Sequence, residues 1–90
     1  MEELEILRKQ IDETDEKLVK LFERRMELAI KIGAIKEEKG LQILNSKREE
    51  EVIKRNISLL ENKELYQELE IFFKTIMDSS KRIQHRMKKS

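Results

Sequence analysis

Counting from Leu4, positions 4, 7, 11, 14, 18, 21, 25, 28, 32 and 35 alternate steps of three and four residues, and eight of the ten are Leu or Ile. This spacing returns apolar side chains to one face every 3.5 residues, the heptad stripe of a long helix. Its interruptions are Thr14 and Arg25. The pattern predicts a first helix from about Glu3 to Glu38, ended by the basic Lys39 and by Gly40, which can supply a left-handed stop. Leu41 to Asn45 form a short loop. Ser46 followed by Glu49 matches a capping box, in which the hydroxyl and the carboxylate exchange bonds with backbone amides. It opens a second helix to about Glu61. Asn62 caps a third, from about Lys63 to Lys88, whose Leu65, Leu69, Phe72, Phe73, Ile76, Met77 and Ile83 keep helical spacing and form core.

Composition agrees with an all-α fold in a single domain over residues 1–90: 38% of residues are apolar, 43% are charged, Pro is absent and Gly occurs only at 33 and 40. Twenty basic residues against nineteen acidic give a net charge of +1, so no global field draws the chain to nucleic acid or to an anionic membrane. Without cysteine there is neither a disulfide nor a zinc-thiolate site. His85 has no spaced acids or cysteines that would make it a metal ligand and reads as surface. The N-terminal sequence, with Glu2, Glu3 and Glu5, lacks the apolar run of a signal peptide or membrane span, so a cytoplasmic protein is expected. The basic tail of Lys81, Arg82, His85, Arg86, Lys88 and Lys89 suits a helix C-terminus. It has no interleaved aromatics, and nucleic acid is not expected as a partner.

Length carries a further expectation. A helix of about 36 residues extends about 54 Å, whereas a compact chain of this size has a radius of gyration of about 12 Å. The helix therefore overhangs its own domain, and a second copy is the simplest cover for its apolar seam.

Arg25 has no place in a dry seam, because a guanidinium keeps its proton and costs several kcal/mol to bury unpaired. Something anionic should meet it: the plain reading is an internal carboxylate, or a side chain that snorkels out at a dimer seam, and the sharper one is an anionic ligand. Lys36 lies eleven residues further on, about 20 degrees off the same face, so the two side chains can grip one small dianion. Arg8 is about 25 Å from Arg25 and reaches the same ligand only from another protomer. Arg48 reads as a solvated first-turn residue offset by Glu49, Glu50 and Glu51, and Glu49 as a helix cap. Phe73, Met77, Ser80 and Gln84 share one stripe that turns polar toward its end, either a frayed terminus or buried groups in need of partners.

These residues resemble the all-helical (AroQ-type) chorismate mutases. The likeness rests on Leu7-Arg8, Ile11-Asp12, Asp15, Leu18, Leu21, the run from Glu23 to Ala29, Ile32-Gly33 and Lys36. It continues through Asn45, Arg48-Glu49, Ser80 and Gln84. The resemblance implies a three-helix protomer with one very long N-terminal helix, an intertwined homodimer, and two active sites each completed by the partner's long helix. It implies conversion of chorismate to prephenate without metal or cofactor. Arg25 and the partner's Arg8 would hold the two substrate carboxylates, with Ser80 assisting. Lys36 and Gln84 would donate to the ether oxygen, Glu49 would take the ring hydroxyl, and Arg48 with the backbone near Asn45 would close the pocket. Two alternatives stand beside it. One is an isochorismate pyruvate lyase on the same scaffold, and the other is a non-catalytic helical dimerisation module in which Arg25 fixes register.

Overall fold

Helix α1 spans Glu2–Glu38, α2 Ser46–Ser58 and α3 Tyr66–Met87, with a 3-10 turn at Lys63–Leu65 before α3. The computed structural model describes residues 2–88, and among them there is no strand; Lys89 of the basic tail lies outside the described residues. The all-α, three-helix reading is thus borne out.

The end of α1 follows from Gly40, which adopts φ +67°. With that left-handed residue in place, Leu41 N–H donates to Lys36 O at 2.7 Å and Gly40 N–H to Glu37 O at 3.2 Å. This paired closure satisfies two of the carbonyls that a helix end leaves open.

Three boundaries differ from the sequence reading. Asn45, not Ser46, caps α2, its Oδ1 accepting from Arg48 N–H at 3.1 Å. The capping box is not formed, and Glu49 is released for other contacts. Helix α2 stops at Ser58 rather than Glu61 because Ser58 Oγ donates to Arg55 O at 2.6 Å while Lys63 Nζ donates to Ser58 O at 2.9 Å. The backbone closes the end in a tighter turn, with Leu59 N–H donating to Asn56 O and Leu60 N–H to Ile57 O, each at 3.1 Å. Asn62 does cap, but it accepts from Glu64 N–H at 3.1 Å and closes the 3-10 turn, so α3 begins at Tyr66 instead of Lys63.

The face that packs within the chain is not the heptad seam, which is left uncovered as the length of α1 implies. The buried apolar residues are Met26 and Ala29 of α1 and Met77 of α3. Met26, Ala29 and Gly33 each stand one residue on from a stripe position, so the face that meets α3 lies about 100 degrees round the helix from the heptad stripe. The stripe itself stays wet in the single chain: Leu7 is 57% exposed, Ile11 59% and Leu21 66%. Residues 2–24 are exposed throughout. Thr14, the polar break in that stripe, is satisfied by its own helix, its hydroxyl donating to Gln10 O at 2.8 Å. The third-helix core is also thinner than expected, since Phe72 is 44% and Leu65 48% exposed. A radius of gyration of 16.4 Å and a long dimension of 55 Å express the overhang of α1.

Candidate active site

The C-terminal half of α1, the loop after it, α2 and the end of α3 enclose a cavity of about 280 Å³. Its floor is apolar, from Leu28, Ala29, Ile32, Ile43, Val52 and Met77, and its polar groups are Arg25, Lys36, Asn45, Arg48, Glu49, Ser80, Lys81 and Gln84. Seven of the eight candidate residues therefore meet at one place. The eighth, Arg8, stands on the exposed N-terminal half of α1 and does not line the cavity.

Arg25 and Ser80 form the first pair. The guanidinium donates to Ser80 Oγ at 2.6 Å, and the hydroxyl spends its single proton on Ile76 O at 3.0 Å. Among the described residues no carboxylate pairs with Arg25. Burial, and then the charge of Arg48, pull the Arg25 pKa below the ordinary arginine value. Because arginine does not give up its proton in response, the charge is held under strain and favours an incoming anion. Of the two sequence-level answers for Arg25, an internal carboxylate is not the one found in the chain.

Gln84 and Ser80 are 8% and 9% exposed, so the polar stripe of α3 is buried and not a frayed terminus. Gln84 Nε2 donates to Ala29 O at 2.8 Å, which sets the orientation of the amide and leaves its second proton available. Gly33 allows this approach: a β-carbon there would lie 2.9 Å from Gln84 Cγ and 3.2 Å from its Cβ. We expect Gly33→Ala to destabilise the fold by about 1 kcal/mol, because overpacking costs about 1 to 3 kcal/mol and outweighs a helix-propensity gain of about 1 kcal/mol. Urea unfolding should show a lower midpoint with an unchanged slope.

Lys36 reaches from the last turn of α1 and donates to Ile43 O at 2.7 Å, tying the loop over the cavity while two further ammonium protons remain. Asn45 contributes as the α2 cap. Arg48 lines the mouth, but its guanidinium turns toward Glu51 at 3.7 Å and its side chain is 64% exposed, as the solvated reading had it. Glu49 faces α3, where Lys81 Nζ lies 3.0 Å from its Oε2 and 3.4 Å from Asp78 Oδ1.

Lys81 is the cavity residue that sequence reasoning missed, having grouped it with the basic tail. The available signal was angular: on a helical wheel it falls about 60 degrees from Gln84, on the polar side of α3. His85 is exposed, and among the described residues no cluster of metal-binding side chains occurs. No described helix is long and apolar enough to cross a membrane.

Residues 7–85 match the family described as chorismate mutase type II. The bifunctional chorismate mutase/prephenate dehydratase of Aquifex aeolicus is 44% identical over 66 residues, a match covering 73% of this chain and 18% of that protein. The T-protein of Haemophilus influenzae is 43% identical over 49 residues, covering 54% of this chain and 13% of the relative. The chain thus corresponds to less than a fifth of the length of either relative. No solved structure matches it.

Proposed function

The chain belongs to the chorismate mutase type II family, and we propose that it converts chorismate to prephenate in the cavity between α1, α2 and α3. The observation that carries this reading is the charge of the lining: among the described residues, Arg25, Lys36, Arg48 and Lys81 against the carboxylate of Glu49, around a space of about 280 Å³. Such a pocket fits a small dianion.

The rearrangement is intramolecular, forming a carbon-carbon bond as the ether carbon-oxygen bond breaks, so the protein's task is to hold and polarise. Arg25 with Ser80 takes one carboxylate. Arg8 of the partner subunit takes the other, since within one chain it stands about 25 Å away along a continuous helix. The wet heptad stripe supports the same homodimer, because a second copy is the surface that such a stripe fits. Together these cations select the conformer in which the enolpyruvyl arm folds over the ring. Lys36 and Gln84 donate to the ether oxygen, where negative charge grows in the transition state. Glu49 accepts the ring hydroxyl, and Arg48 with the Asn45 backbone closes the mouth. A cytoplasmic enzyme is the corresponding expectation.

In a dimerisation module Arg25 would instead fix register through a carboxylate of a second chain; its place on a cavity shared with Lys36, Ser80 and Gln84 supports the catalytic reading. The test is product analysis. Purified protein should consume chorismate and yield prephenate; salicylate and pyruvate from isochorismate, with chorismate untouched, would identify the lyase instead.

A further inference from the structure

Glu49 presents a difficulty that the proposed reaction does not resolve. Among the described residues it is the only carboxylate lining the cavity, and it must sit beside a substrate that already carries two negative charges. Left alone, it would repel the molecule it is meant to orient.

We propose that Lys81 is the positioning residue for Glu49, holding it as a charge-balanced acceptor for the substrate's ring hydroxyl. This rests on the chorismate mutase reading above. The ammonium meets Glu49 Oε2 at 3.0 Å across the α2–α3 interface, leaving Oε1 for a ligand. The two side chains are 26% and 29% exposed, against 64% and 55% for Arg48 and Glu51 at 3.7 Å. The Glu49–Lys81 pair is shorter and better shielded, and so is weakened less by solvent and salt. Asp78, one turn back on α3, braces the same ammonium at 3.4 Å and holds Lys81 on the α2 side.

Charged groups reach Glu49 from each neighbouring element. Lys81 and Asp78 approach from α3, Arg25 and Lys36 stand on the α1 wall, and Arg48 precedes it on α2. Of these, the group in contact is Lys81, and the hydrogen bond with Glu49 is the first cause that raises the Lys81 pKa, with Asp78 adding to it. Lys81 therefore keeps its charge at neutral pH. The pair contributes an acceptor without adding net negative charge to the site.

Steady-state kinetics on chorismate at about pH 7.5 test this in four proteins: wild type, Lys81→Met, Glu49→Gln and the double variant. Lys81→Met should raise KM about tenfold with a smaller change in kcat, because a repulsion shared by ground and transition states acts on binding. In the Glu49→Gln background Lys81→Met should add no more than about twofold, since a neutral amide needs no counter-charge. Lys81→Arg should restore most of the loss. Should Lys81→Met fail to fold, Lys81→Gln carries the same comparison. An unchanged KM, or an equal loss with and without the Glu49 carboxylate, overturns the assignment. A wild-type protein inert toward chorismate instead sinks the proposed reaction itself.

Discussion

Arg25→Ala is expected to lower kcat/KM for chorismate by at least about two to three orders of magnitude, the loss of about 3 to 4 kcal/mol that follows removal of a preorganised donor. The guanidinium is half-buried, held by Ser80 at 2.6 Å and, among the described residues, unopposed by a carboxylate. Those conditions make it poor for stability and good for an anion. The same substitution should therefore leave thermal stability unchanged or raise it, because an unpaired charge leaves a shielded site. Activity and stability moving in opposite directions separates a binding role from a structural one. Mixing supplies the second check. Arg8→Ala and Arg25→Ala subunits, each inactive alone, should regain activity on exchange, because one site of the mixed dimer combines an intact Arg8 with an intact Arg25. Mixed dimers that form and stay inactive would show that the site is not shared in this way.

Lys36→Ala should cost about 3 to 4 kcal/mol in the transition state, read as a fall of several hundredfold in kcat with a smaller change in KM. The split arises because charge develops on the ether oxygen only as its bond lengthens, so a donor aimed there acts little on the ground state. Lys36 also holds the Ile43 carbonyl at 2.7 Å, so its loss frees the loop before α2. Lys36→Arg, which keeps the charge and the donor to the loop but alters the geometry at the ether oxygen, distinguishes the two contributions. Full turnover in Lys36→Ala would remove this residue from the reacting atoms.

Much of the fold was legible before any coordinates. Long helices follow from strict three-four spacing in a chain without proline, and Gly40 stops α1 because a left-handed residue lets two amides close the last carbonyls. Boundaries were less legible where two polar residues competed for one role. Asn45 prevailed over Ser46 as the cap of α2, and a carbonyl taken by Lys63 shortened that helix. Such contests are settled by small differences in local geometry that residue type does not express.

For the site, the chain itself determined which charges stand out: an arginine breaking an apolar stripe, a lysine on the same face, and a serine and a glutamine extending a core stripe. Periodicity is enough to flag a polar residue where burial is expected, because helical faces are written directly into spacing. Only the tertiary structure decided which face meets α3, that Ser80 and Gln84 are buried, and that Glu49 spends its carboxylate on Lys81 rather than on a helix end. Those outcomes depend on how neighbouring helices are rotated against one another, and rotation is set by close packing, here by the absence of a side chain at Gly33 where Gln84 approaches.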